Sequence, residues 1–166
     1  ILIEYYIKEY NSTSSTNDNG NLKINRNPKT LEEAKTSKES YYYYLRNIYN
    51  NLVKENKECN KLQCSALFII LNKTCFRGLY REGPNGFNVP FGHYKTTPKI
   101  IIKEELYSIS NLIQGVIFVS NCFTKVIKNF KKGDFVYLDP PYAPVNSKSF
   151  VNYVSVSYTH LTLPTK

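Results

Sequence analysis

The stretch GVIFVSNCFTKVIKNFKKGDFVYLDPPY, residues 115–142, decides the fold. Gly115 to Asn121 is a short run rich in β-branched and aromatic residues, the composition of a strand. FTKVIKNFKKGD, residues 123–134, has the spacing of a one-to-two-turn amphipathic helix, with Gly133 and Asp134 in the turn that follows. DFVYLDPPY then reads as a second buried strand that breaks at Pro140, where an amide donor is lost to the ladder. Strand, short helix and strand form a βαβ unit, which predicts an α/β fold on a parallel sheet.

Working outward, the chain has 166 residues, of which 42% are hydrophobic, enough for one domain with an ordinary core. Twenty-two Lys+Arg against thirteen Asp+Glu leave a net charge of +9, so the expected partner is a polyanion, with nucleic acid first. An aromatic content of 14% excludes a disordered basic tail. No apolar run approaches the length of a membrane span and no leader pattern opens the chain, so the expectation is a soluble, cytoplasmic, monomeric protein without a membrane partner. The sequence begins at Ile1 and contains no Met, and it reads as a fragment. Cys59, Cys64, Cys75 and Cys122 include no CxxC pair, so they are expected to be reduced, mostly buried thiols rather than metal ligands.

ILIEYYIKEY at the start has the pattern of the last turns of a helix, and the Ser-, Asn- and Gly-rich residues 11–28 read as a surface linker. Thr30 and Glu33 after Pro28 form a capping-box signature. From Ser40, Tyr41, Tyr44, Leu45, Ile48, Tyr49 and Leu52 recur at helical spacing. The four tyrosines 41–44 would point around such a helix, so they are read as core and flank rather than a stacking platform. CSALFIIL, residues 64–71, reads as a buried helix or strand, its polar flanks favouring a helix. KEELYSISNLIQ, residues 103–114, reads as a helix closed by Gly115.

The chemistry is expected at the carboxyl end of the second strand, where open α/β sheets place ligands. In Asp139-Pro140-Pro141-Tyr142 two prolines fix their φ angles at about −65° and remove two donors, leaving carbonyls free to accept. Asp139 adds a carboxylate acceptor and Tyr142 a flat face, a combination suited to gripping the exocyclic amino group of a flipped base. The same four residues could also be no more than a proline turn.

That arrangement resembles the Dam-type DNA adenine methyltransferases. Three stretches carry the likeness in the family's order: NKTCFRGLYR (72–81), GFNVPFG (86–92) and VYLDPPYAP (136–144). It extends over roughly residues 1–154 and implies a Rossmann-like methyltransferase domain with an inserted, mainly helical target-recognition subdomain carrying a β-hairpin. It further implies S-adenosylmethionine as cofactor, double-stranded DNA as partner and the adenine amino nitrogen as methyl acceptor, with no metal. The catalytic residues then fall on Asp139, Pro140, Pro141 and Tyr142, with Asp139 also beside the cofactor. The DNA-binding residues fall on Lys73, Phe76, Arg77, Arg81, Asn88, Pro90 and Lys95. Phe76 matches an intercalating aromatic and Arg81 a guanine-reading arginine, while Arg77 stands where the best-known members carry Asn. Pro84-Asn85-Gly86 is read as the turn of a hairpin lying against DNA, with His93 and Lys95 near phosphates.

The departures are equally specific. No GxG sequence occurs, so the family's glycine-rich cofactor loop is expected upstream and the chain alone is expected to be inactive. The implied layout is residues 1–28 as the end of an upstream catalytic-domain helix plus linker, 29–114 as recognition subdomain and 115–154 as catalytic strand–helix–strand. Residues 155–166, Thr-rich and without helical pattern, read as a foreign or frame-shifted tail. A non-catalytic nucleic-acid-binding module, and an amino methyltransferase acting on cytosine or on RNA, remain as alternatives.

Overall fold

The computed structural model describes residues 2–13 and 24–139. The chain divides into two compact units, Ile1–Val116 and Ile117–Lys166. The first contains helices α1 (Leu2–Ser12), α2 (Leu31–Ala34), α3 (Lys38–Glu55) and α4 (Lys61–Thr74), then strands β1 (Glu82–Gly83) and β2 (Gly86–Phe87), then helix α5 (Lys103–Leu112). The described chain is thus rich in helix, with one small sheet of two antiparallel strands.

Local chemistry accounts for the starts of α2 and α3 and for the end of α3. The Thr30 side chain accepts from the Glu33 amide at 3.3 Å and starts α2. Glu33 does not complete the box on Thr30, because its carboxylate accepts instead from the Lys29 amide at 2.8 Å and from Asn25 Nδ2 at 3.2 Å. The helix then stops after four residues, and Ser37 opens α3 by accepting from the Ser40 amide at 3.0 Å. Asn56, at φ 47°, closes α3 in the left-handed conformation and returns its amide to Leu52 and Val53.

The core lies where α3 meets α1, α2, α4 and β2. Leu67, Ile70 and Leu71 of α4 face Tyr41, Tyr42 and Leu45 of α3, with Tyr6 and Tyr10 of α1 and Phe87 and Val89 closing the sides. Because α3 is packed on several faces, Tyr41, Tyr42 and Tyr43 are all buried, more of the tyrosine run than one helix face holds. Buried phenols need partners, and the Tyr42 hydroxyl donates to the Val89 carbonyl at 2.7 Å.

The hairpin pairs Glu82 with Phe87 and Gly83 with Gly86 across Pro84-Asn85. Gly86 has φ 93°, and a Cβ there would lie 2.6 Å from Asn50 Oδ1, so the site demands glycine twice over. Asn50 of α3 acts as a third strand in miniature: its Nδ2 donates to the Phe87 carbonyl at 3.0 Å while its Oδ1 accepts from the Phe87 amide at 2.9 Å. A side chain thereby satisfies the open edge of a two-residue strand and ties it to the helical core.

In the second unit the helix is present, as α6 (Phe123–Ile127), but the strands expected on either side of it are not. Residues 116–120 and 134–138 take no ladder partner, and Ile117, Phe118, Phe135 and Tyr137 remain more than two-thirds exposed. The βαβ expectation is corrected to this extent, because a parallel strand has no internal hydrogen bonds and no described segment supplies a neighbouring ladder. The expectation of mostly buried thiols also needs correcting for the three whose side chains are described: Cys75 is buried, Cys64 is intermediate and Cys122 is exposed at the start of α6. Residues 14–23 of the linker, Pro140, Pro141, Tyr142 and the tail 155–166 lie outside the described residues.

Candidate nucleic-acid interface

α4 ends at Thr74, and the next four residues form a tight turn whose geometry is strongly determined. The Phe76 amide donates to the Pro90 carbonyl at 2.9 Å and the Gly92 amide to the Thr74 carbonyl at 2.9 Å, so residues 74–76 are locked to 90–92. Inside the turn, Asn72 Nδ2 donates to the Gly78 carbonyl at 2.7 Å, and the buried Cys75 thiol donates to the carbonyls of Asn72 and Leu79 at 3.3 and 3.4 Å. Burial pushes the Cys75 thiol above its usual range, so it stays protonated as a donor. Tyr94 closes the far side by donating to the Cys75 carbonyl at 2.6 Å.

These contacts hold Arg77 at φ 56°, left-handed for a side-chain-bearing residue, a conformation worth roughly 1–3 kcal/mol of strain. Strain of this kind persists only where surroundings over-determine it. Its result is that Phe76 stands 44% exposed with the Arg77 guanidinium over its ring, 5.1 Å from the centroid. An aromatic plate and a cation are thereby presented together at the surface.

Arg81 and Asn88 face each other across the hairpin mouth. Arg81 Nε donates to Asn88 Oδ1 at 2.7 Å and Nη2 to the Asn88 carbonyl at 3.3 Å, while the Asn88 amide returns to the Arg81 carbonyl at 3.0 Å. Tyr80, beside Arg81, contacts the Glu82 carboxylate, and burial together with that carboxylate raises its hydroxyl pKa.

The structure therefore brings Phe76, Arg77 and Pro90 into one turn and Arg81 and Asn88 into one pair. Lys73 and Lys95 are exposed, and Lys73 borders a separate shallow cavity of about 420 Å³ beside α5. His93 is turned to Glu39, its Nε2 3.7 Å from a carboxylate that is 4% exposed and already accepts from Arg26 Nε at 2.8 Å.

Sequence reasoning passed over a cleft of about 680 Å³ between α3 and the hairpin. Asn47, Asn50 and Asn88 line it with the cations Lys29, Arg46 and Lys54, and no carboxylate among the described residues joins them. Arg46 rests on the Tyr43 ring at 4.6 Å and donates to the Val89 carbonyl at 3.0 Å. On a helical wheel Arg46 looks like any solvated polar face, and only the folded-over hairpin turns that face into a cleft wall.

Of the Asp139–Tyr142 group, Asp139 alone is described, and it is exposed. A Cβ built on Gly115 or Gly133 meets nothing within 4 Å. The described residues contain no GxG loop, and Asp139 is the one among them that the resemblance places beside S-adenosylmethionine. No helix among them is long and apolar enough to cross a membrane.

A basic helical module that displays an aromatic–arginine turn beside an amide-bound arginine is the class of surface suited to an extended polyanion. The comparisons with known proteins make the assignment specific: the chain belongs to the D12 class N6 adenine-specific DNA methyltransferase family, whose model matches residues 4–160. It is 38% identical over 131 residues to the type II methyltransferase M.MjaIII of Methanocaldococcus jannaschii, covering 78% of this chain and 43% of that protein. It is 36% identical over 140 residues to the type II methyltransferase M1.LlaDCHI of Lactococcus lactis subsp. cremoris, covering 81% and 48%. With a DNA adenine methylase of Serratia marcescens it shares 31% identity over 136 residues, covering 81% and 47%. The chain spans about half the length of these curated relatives.

Proposed function

We propose that the whole protein is a site-specific adenine methyltransferase acting on duplex DNA with S-adenosylmethionine as methyl donor. In it residues 29–114 form the recognition part, and residues 115–154 carry the Asp139-Pro140-Pro141-Tyr142 group. The observation that carries this reading is the strained turn at Cys75–Gly78, where backbone, amide and thiol hydrogen bonds hold Phe76 and Arg77 outward instead of in the core. A buried core gains nothing from an exposed phenyl ring over which an arginine is stacked, whereas a DNA duplex offers such a pair a base step to wedge and a phosphate to bind.

In this reading Phe76 enters the stack, Arg77 and Lys95 contact phosphates and Arg81 reads a base edge. Lys73 and Pro90 complete the contact surface, and Asn88 stands beside Arg81. The aromatic amine of adenine is a weak nucleophile because its lone pair is delocalised into the ring. Asp139 and the Pro140 carbonyl accept its protons and draw the nitrogen out of plane, while Tyr142 stacks on the base. Positioning and electrostatics then supply most of the rate.

The test has two arms. Fluorescence anisotropy of this chain on a duplex should show affinity falling linearly on a log–log salt plot, with a slope of about −0.9 for each phosphate neutralised. In the whole protein, single-turnover methylation by an Asp139→Ala variant should fall by orders of magnitude while DNA affinity holds, each tenfold being about 1.4 kcal/mol of barrier. A salt-independent affinity sinks the DNA-binding reading; near-normal methylation by a stably folded Asp139→Ala protein sinks the catalytic one.

A further inference from the structure

We propose that Asn88 is a positioning residue, one that sets the Arg81 guanidinium for base readout instead of touching DNA itself. The inference rests on the reading of Arg81 as the base reader and gives Asn88 a different role from the direct contact that the resemblance implies.

A guanidinium has five N–H donors arranged on distinct edges. Nε and Nη2 share the side edge, and Asn88 occupies that edge twice, with Oδ1 on Nε at 2.7 Å and its carbonyl on Nη2 at 3.3 Å. Two donors are used and three remain. The end edge, formed by Nη1 and Nη2, keeps the parallel pair of N–H bonds that matches the O6 and N7 acceptors of guanine in the major groove. Asn88 therefore blocks one presentation of Arg81 and leaves the other open.

The anchor is itself fixed to the core. Asn88 follows Phe87, which is 1% exposed and clamped through both its amide and its carbonyl by Asn50 of α3. The Asn88 amide also donates to the Arg81 carbonyl at 3.0 Å, so donor and acceptor share one local frame. An exposed arginine otherwise samples many rotamers, and holding it in one removes an ordering cost from binding. Asn88 supplies this hold with a neutral amide, which leaves the charge of Arg81 intact for DNA.

The experiment uses the whole protein and a short duplex library in which the base pairs flanking a fixed adenine are randomised. Bound fractions are sequenced, and overall affinity is measured in parallel on a non-specific duplex. Wild type should enrich guanine at one position, and Arg81→Ala should lose that enrichment. Asn88→Ala keeps the carbonyl contact and loses the Nε contact, so guanine enrichment should fall at least ~5-fold with affinity for the non-specific duplex unchanged. Asn88→Asp retains an acceptor for Nε, so it should keep the enrichment while its added negative charge weakens binding to every sequence.

A uniform loss of affinity in Asn88→Ala with its guanine preference intact would overturn the inference and make Asn88 a direct backbone contact. So would an Asn88→Ala profile indistinguishable from wild type while Arg81→Ala differs. Absence of any base preference in the wild-type whole protein removes the recognition reading and the inference with it. That outcome is distinct from the first two, in which the role of Arg81 survives.

Discussion

Leu67 on α4 and Tyr42 on α3 are 0% and 1% exposed, whereas Phe135 and Ile117 in the second unit are 92% and 86% exposed. All four are large side chains in runs that the sequence marks as structural. The difference lies in how each backbone is satisfied. A helix completes its hydrogen bonds within itself, so α3 and α4 need only side-chain neighbours, which α1 and the hairpin provide. A parallel strand completes nothing alone, and residues 116–120 and 134–138 find no ladder among the described residues. Apolar content sets how much surface there is to bury, and pairing decides whether it is buried.

The comparison breaks most easily at Leu67. Leu67→Ala leaves a cavity between α3 and α4 and should cost ~2–5 kcal/mol, seen as a large fall in the denaturant midpoint by circular dichroism. A loss below ~1 kcal/mol would mean that the helical core is no better packed than the second unit.

High pH sharpens the contrast with a smaller effect. Burial, with a contribution from Tyr94, pushes the Tyr10 hydroxyl up to about 12 from its ordinary value of 10.0. A folded-state pKa raised above the unfolded one gives stability that is complete below pH 10 and is lost as pH rises through about 12. For Tyr10 the loss is of order 2 kcal/mol. Tyr41 and Tyr42 are raised further by the same burial, so they add to the loss in the same direction. Alkaline titration should therefore show helix loss and a late rise in tyrosinate absorbance together, and Tyr10→Phe should reduce the pH dependence. Helix content unchanged to the top of that range would contradict the burial of these phenols.

The smallest effect belongs to the second unit. Phe135→Ser should change the unfolding free energy by less than ~0.5 kcal/mol, because a side chain already in water has no packing to lose. A drop of several kcal/mol in this chain would show that residue 135 is buried in solution and that the contrast between the two regions is wrong.

Much of the helical part was legible because its signals are local. Thr30 announced a cap, Ser40 to Leu52 and Cys64 to Leu71 announced helices, and Pro84-Asn85-Gly86 announced the hairpin, each through residues within a turn or two of one another. The exposed positions of Phe76, Arg77 and Arg81 were likewise readable, since an aromatic and two arginines interleave there without helical or strand period. The early stop of α2 was less visible: the periodic pattern runs on through Lys35, and the break becomes clear only from the Ser37–Ser40 cap.

By itself the sequence determined the kind of protein this is: a basic, tyrosine-rich chain of the D12 family with its motif residues in order. Helix periods, caps and turn residues act over a few positions and so leave a mark in the linear text. Only the tertiary structure decided that three consecutive tyrosines are buried, that Asn50 closes the edge of β2, that His93 turns to Glu39 and that Asn88 grips Arg81. It also decided that the runs flanking α6 find no ladder partner among the described residues. Each of these depends on a partner many residues away or on the lack of one. A hydrogen bond of that range is set by how helices pack, which no local period encodes.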